Sequence, residues 1–329
     1  VCEAIATRRQ THEVLASEMT EPRALVIEQE PHEPCVGQVH RKPLEAAERF
    51  FEPSLFCEQV LGCIDFCGIA RCLCAQVFGR RLGGTKVQIG VQSLSDPVLL
   101  ENRRGHDVAA TRRALRLLRA AGFKLHVHWM PNLHGSSPAA DVEDFDRLFS
   151  DPDFRPDELK IYPCSLVPGV ELERHYRRGA WRPYSQQELL EVLSECMRRI
   201  PDYCRLTRMV RDIPSHHIPV GNKATNLREV VTAHLAEQGF QSRDIRAREI
   251  RGHPCDPEAL RLTQVDYDTS VGREHFLQFV TPEDRIAAFL RLSLPANGGG
   301  AMIREVHVYG VAADLGERSP RKAQHAGLG

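Results

Sequence analysis

The sequence has no excess of charge of either sign: 43 Lys and Arg stand against 44 Asp and Glu, a net of −1 over 329 residues. That excludes a global field for a polyanion, so any nucleic-acid surface must be a local patch. No apolar run reaches membrane-spanning length, and the N-terminal VCEAIATRRQ has no signal-peptide core. No membrane partner is expected. There is no initiator Met, which leads us to expect that the start is not a natural one. Internal repeats and low-complexity tracts are absent too.

Cysteine is plentiful by contrast, with 11 in the chain. An odd number scattered over this length argues against a secreted disulfide framework, and a reducing, cytoplasmic compartment is expected. Cys57, Cys63, Cys67, Cys72 and Cys74 cluster, and thiolates can bind iron–sulfur or zinc, but His partners and paired C-x-x-C spacing are lacking and no metal is assigned to them. Residues 33–79 show no convincing period. His216 and His217 are adjacent on an extended segment, point to opposite sides, and are expected to hold no metal.

From Lys86 the pattern becomes regular. KVQIGV (Lys86 to Val91), KLHVHWM, ELKIYP and CRLTRMVRDIP read as strands. Between them run helical patterns: one capped by Asp107 and stopped by Gly122, one with Pro138 in its first turn, one opened by a Ser185/Glu188 capping box. RALVIE (Arg23 to Glu28) is a further strand, and a helix is expected from about Asn226 to Gln238, stopping at Gly239. Strands alternating with helices of this length imply right-handed crossovers, a parallel sheet and part of an α/β barrel. Chemistry in such a fold gathers at the C-terminal strand ends, here Gln92 and Ser93, Pro131 and Asn132, Tyr162 and Pro163, Arg211 and Asp212. After Gly252 the pattern changes. EHFLQFV, RIAAFLRLSL and IREVHVYG are strand-like runs joined by short turns such as NGGG, an antiparallel meander starting near residue 255.

After the last of these strands comes Gln324-His325-Ala326-Gly327-Leu328-Gly329. A Q-x-x-G-x-G loop at a helix N-terminus suits a pyrophosphate, because glycines let backbone N–H groups close on the phosphates. Arg205, Arg208, Arg211, Lys223, Arg228, Arg243, Arg246 and Arg248 make the densest basic stretches, and the planar guanidinium suits phosphate oxygens. Internal pairing with Asp212, Asp244 and Glu249 is the competing reading.

An ordered series of motifs then decides the resemblance: KVQIGVQS, NRRGH, HVHWMPNLHGS, FRPDELKIYP, RMVRDIP, GNKATNLRE, SRDIRAREI, IREVHVYG and QHAGLG. Thr85 to Gly329 resembles the catalytic subunit family of Elongator, the tRNA uridine acetyltransferases that join a radical-SAM domain to a GNAT-type acetyltransferase domain. The resemblance implies an α/β fold: a partial radical-SAM (β/α) barrel over 1–200, a linker and tRNA-binding junction over 201–254, and the first strands of an α+β GNAT domain over 255–329. It implies carboxymethylation at C5 of the wobble uridine, with S-adenosylmethionine, a [4Fe-4S] cluster and acetyl-CoA. The acetyltransferase half would deliver and hydrolyse acetyl-CoA, and the barrel would direct the radical to the acetyl methyl before attack on uridine. Gln92, Ser93, Lys160 and Tyr162 would line the S-adenosylmethionine and nucleoside pocket, with Lys160 catalytic. His307, Val308, Tyr309, Gln324, Gly327 and Gly329 would hold acetyl-CoA, and the arginines and Lys223 above would hold tRNA. Either a homodimer or Elongator-type partner subunits are implied.

Departures from the family pattern accompany the match. Its cluster cysteines are not reproduced, and Glu28, Gln29, Glu30, Pro31 and His32 stand where members often carry an acidic-Thr-Arg-Pro-Asp strand end. The chain is expected to be truncated at both ends and inactive alone. A non-catalytic tRNA-binding remnant and a protein-lysine acetyltransferase remain as alternatives.

Overall fold

The computed structural model describes the backbone of residues 25–26 and, in full, residues 83–210, 217–253 and 256–310. Two sheets organise them. In the first, β1 (Leu25–Val26), β2 (Lys86–Gln92), β3 (Lys124–Trp129), β4 (Glu158–Ile161) and β5 (Arg205–Arg208) lie in that order, all parallel. β5 is shorter than the CRLTRMVRDIP run, whose end lies outside the described residues.

The period-two pattern of these strands sorts two unlike faces. Val87, Val91, Leu125, Val127, Trp129, Leu159, Ile161 and Leu206 are buried on one side. Helices cover them: α1 (Asp96–Glu101), α2 (Val108–Ala120), α3 (Pro138–Ser150), and, after a short α4 (Leu172–Arg177) that buries no residue, α5 (Gln186–Arg199), α6 (Leu227–Glu237) and the one-turn α7 (Ile245–Arg248). Leu115 and Leu118 of α2, Phe145 and Leu148 of α3 and Leu193 of α5 present the stripes their spacing requires. The expected caps hold. Asp107 accepts from Ala110 N at 2.6 Å, and Ser185 with Glu188 forms a complete capping box.

The second sheet has four antiparallel strands, β6 (Arg261–Thr269), β7 (Gly272–Val280), β8 (Ile286–Pro295) and β9 (Met302–Val308). Three runs were legible in the sequence, and β6 corrects that count. It is an edge strand exposed along most of its length, so it lacks the apolar alternation that betrays a strand. Gly272 closes the β6–β7 hairpin with φ 158°, where an added Cβ would lie 2.2 Å from Leu294 O.

Buried charge joins the two sheets. Asp157, just before β4, is fully buried. Its carboxylate accepts from Arg304 at 2.8 and 2.9 Å and from Leu125 N at 2.8 Å. Arg304 also donates to Glu274 at 3.0 and 2.9 Å and to Phe123 O at 2.9 Å. Arg291 of β8 donates to Glu305 at 2.9 Å and to Tyr203 O at 2.5 Å, and Tyr203 stacks on Tyr267 at 3.8 Å. Arg119 of α2 completes the group, 3.8 Å from Glu274. Three guanidiniums thus meet three carboxylates under the N-terminal ends of β3, β4 and β5. Burial alone would raise the Asp157 carboxyl, but Arg304 and Arg291 outweigh it and hold it far below its ordinary range. Among the described residues no helix is long and apolar enough to cross a membrane.

Removing one partner strands the others in a dry interior. Asp157→Asn is expected to lower stability by about 3–5 kcal/mol, read as a lower urea midpoint. Because the folded carboxyl is depressed, its stabilisation is present above the ordinary aspartate value of about 3.9 and fades as pH falls below it. The variant should therefore lose much of the acid sensitivity of the parent.

Candidate functional site

The other face of the parallel sheet is polar along its whole length. Strand register brings Lys86, Gln88 and Gly90 of β2 beside Lys124, His126 and His128 of β3, then Glu158 and Lys160 of β4, then Arg205 and Thr207 of β5. At its lower end Glu158 binds Lys86 at 3.0 Å, Lys124 at 3.2 Å and His126 at 3.1 Å. Lys124 also reaches Glu305 of β9 at 2.6 Å, and Arg205 donates to Tyr309 at 2.7 Å. The column therefore runs on from the second sheet.

Higher up, Lys160 Nζ donates to Gln88 Oε1 at 2.8 Å, and His128 Nε2 lies 3.0 Å from the same atom. An ammonium can only donate, so the amide atom between them is oxygen and His128 must carry its proton on Nε2. Its Nδ1 is left as an acceptor. Burial, with Lys160 and His126 beside it, pushes the His128 imidazole down to about 4, so it is neutral at pH 7. Tyr162 stands edge-on to that ring, 5.4 Å between centroids.

At the C-terminal end of β2 the chain turns sharply at Gln92, φ 64°. The Gln92 amide folds back over Gly90, where an added Cβ would lie 2.6 Å from it and 3.5 Å from Arg104. Gln92 Oε1, Arg104 Nε and both ring nitrogens of His106 are buried with no hydrogen-bond partner among the described residues. Orphaned polar atoms converging at a strand end suit a polar ligand that supplies the missing partners. Sequence reasoning saw NRRGH as a motif but gave Arg104 and His106 no role; the cue was a basic pair closely following the expected strand end at Gln92.

Two carboxylates on α3 hold this mouth in shape. Asp144 accepts from Leu94 N at 2.8 Å and Trp129 Nε1 at 2.8 Å, while Asp141 accepts from Asn132 N at 2.6 Å and Tyr184 at 2.7 Å. Burial raises both carboxyls above their ordinary range.

Residues 156–237 match the radical-SAM C-terminal domain model. The chain is 38% identical over 267 residues to the tRNA uridine(34) acetyltransferase of Methanocaldococcus infernus, covering 76% of this chain and 49% of that protein. It is 35% identical over 260 residues to Elongator complex protein 3 of Homo sapiens, covering 75% and 48%. A solved structure of the N-terminally deleted Elp3 of Methanocaldococcus infernus superposes with TM-score 0.68 at 37% identity, covering 75% of this chain and 61% of that one. The chain belongs to the Elongator complex protein 3 family. It spans about half the length of the curated relatives it matches.

Of the residues expected to form the Elongator-family pocket, Gln92, Lys160 and Tyr162 lie on or above the polar face. Ser93 does not: it is buried, and its hydroxyl accepts from Ser95 N at 3.1 Å. The expected tRNA-binding arginines are mostly engaged within the protein. Arg205 pairs with Glu249 at 2.8 Å, Arg228 with Asp244 at 2.8 Å, Arg243 with Asp202 at 2.5 Å, and the buried Arg248 with Asp284 at 2.7 Å. Arg246 donates to Thr207 O at 2.6 Å. Arg208 and Lys223 are exposed, and Arg211 lies outside the described residues. His307, Val308 and Tyr309 close β9, whereas Gln324, Gly327, Gly329, Glu28–His32, His216 and the cysteine cluster lie outside the described residues.

The His128 environment is testable directly. Its imidazole should titrate near 4 by NMR rather than near the ordinary value of about 6.5. Lys160→Met should move that midpoint upward. Since the folded value is the lower one, stability should decline as pH falls from about 6.5 towards 4, and less so in the variant.

Proposed function

We propose that this protein is an acyltransferase-family enzyme of tRNA wobble-uridine modification, directing carboxymethyl formation at uridine C5 with S-adenosylmethionine and acetyl-CoA. The observation that carries it is identity of 35–39% to members named for that reaction or for Elongator, over three quarters of the chain. We assign residues 1–200, together with β5 of the same parallel sheet, to the radical-SAM barrel, the remainder of 201–254 to the tRNA-binding junction and 255–329 to the acetyltransferase domain. In this reading the protein acts on tRNA in the cytoplasm.

The implied groups fit unequally. Membership of a radical-SAM family implies S-adenosylmethionine and a [4Fe-4S] cluster, which together supply a carbon radical. For S-adenosylmethionine the fit is good. Arg104 has no carboxylate partner among the described residues, and with Gln92 and His106 it offers donors and acceptors to an amino acid or ribose. For the cluster, the described cysteines do not fit: Cys164, Cys196 and Cys204 are buried, and burial raises the thiols of Cys196 and Cys204 well above their usual range. For acetyl-CoA the described part is the end of β9, where Tyr309 is held by Arg205.

The roles of the chain's own residues follow from the geometry. Lys160 holds a cation on the polar face, where it would meet an anionic group of substrate. Gln88 fixes that ammonium and the tautomer of His128. The neutral His128 offers Nδ1 as an acceptor, so a donor edge of a nucleobase is held without competing positive charge. Gly90 leaves room for the Gln92 amide to lie against the sheet.

The test is binding by the purified chain. It should bind tRNA with an affinity that falls steeply from low to physiological salt. It should bind S-adenosylmethionine with an affinity that Arg104→Ala lowers about tenfold or more, as for one lost hydrogen bond from a charged group. A folded chain that binds neither sinks the proposal.

A further inference from the structure

The segment joining β4 to α5 crosses the mouth of the polar face and is pinned there. Trp181 is buried and its indole donates to Asn132 O at 2.9 Å, while Asn132 Nδ2 donates to Arg182 O at 3.1 Å. Glu171 pairs with Arg103, beside Arg104, at 2.5 Å, and the His175 ring packs on His134 at 3.9 Å. Beneath it Val98, Leu133, Cys164, Leu166 and Trp181 form an apolar cluster separate from the main core. α4 is therefore fixed over the C-terminal ends of β2 and β3, close to Gln92 and to the loop after α1 that carries Arg104.

Its outward side is unusual. Arg174 and Arg178 are exposed, and their side chains have no partner among the described residues. Arg177 is shared with Glu173, and Tyr176 is 39% exposed. Beside Tyr176 lies a cavity of about 260 Å³ between Leu166, Pro168, Pro219 and Val220. A helix C-terminus favours nearby cations, which accounts for a basic last turn but not for a tyrosine beside an apolar cavity. The junction arginines, engaged with Asp202, Asp244, Glu249 and Asp284, offer the contrast. Unpaired guanidiniums flanking an aromatic ring and an apolar hollow match a single-stranded nucleic acid, with its alternation of phosphate and flat base.

The geometry points to an RNA-docking site on α4, in which one unpaired base enters the cavity against Tyr176 and the flanking phosphates lie on Arg174 and Arg178. The inference rests on the tRNA proposal above and adds the place where a single-stranded loop is gripped beside the reacting strand ends.

The probes are a tRNA anticodon stem-loop and a blunt RNA duplex of equal length, bound to the full chain. Tyr176→Ala should weaken stem-loop binding by roughly 5- to 150-fold, the range of one base–aromatic stack, while Tyr176→Phe keeps it and duplex binding is unchanged. Arg174→Ala with Arg178→Ala should flatten the dependence of log K on log salt by about 1.4, or 0.7 for each single-strand phosphate released. Arg174 and Arg178 are exposed, so the melting temperature of the double arginine variant should stay constant, and Tyr176→Phe controls for the packing of the Tyr176 ring on Trp181. If the stem-loop binds the parent and all variants equally, the α4 site is wrong while the tRNA proposal stands. If neither RNA binds, both fall. Tighter binding of an acidic peptide than of the stem-loop, lost in the double arginine variant, would assign the surface to a protein and overturn the RNA site.

Discussion

A single buried carboxylate, Asp157, decides how the two sheets meet. Its two oxygens are divided between Arg304 of the second sheet and the backbone of β3 in the first. An ion pair in such a place contributes less net stability than its contacts suggest, because both partners lose their hydration. What it contributes is selectivity among arrangements: any other docking of the sheets would leave a charge unpaired in the dry interior. Tyr203 stacked on Tyr267 and Lys124 bridged to Glu305 extend that constraint to both sides.

From that fixed junction the polar face follows. Because β9 is held under β3 and β5, Glu305 and Tyr309 sit at the lower end of the column that rises through Glu158, His126 and Gln88 to Lys160 and His128. Along it the charges are paired below and sparser above. Glu158 is surrounded by cations that outweigh its burial and hold its carboxyl below the usual range. Lys160 at the upper end has the neutral Gln88 as its hydrogen-bonded neighbour, and the nearby histidine is kept neutral. The lower end of the column is where the protein holds together, and the upper end carries an ammonium beside a neutral imidazole.

Much of this was written in local sequence. The alternation in KVQIGV and KLHVHWM fixed which residues face the helices, and Asp107, Ser185 and Gly239 marked helix ends by their own backbone chemistry. The family motifs led to Gln92 and Lys160. What escaped was either non-local or too short for a period. Asp157 and Arg304 lie 147 residues apart, and nothing near either announces the other. β6 hides because an edge strand with two wetted faces needs no apolar alternation. α1, α4 and α7 are too brief to show a stripe. The arginines of the junction looked like an RNA surface by density alone. Pairing with Asp244 and Glu249 was the competing reading, whereas Asp202 and Asp284 sit far from their arginines in the chain and became visible as partners only in three dimensions.

The stretch around residue 255 has the look of a seam between modules, yet the charges beneath it cross that seam. Cutting the gene there would leave Asp157 with Arg119 alone in one product, and Arg291 and Arg304 without part of their counter-charge in the other. Neither product could be transplanted intact onto a different companion. The six charges form one coupled set across the seam, so a substitution at any of them is felt by the others.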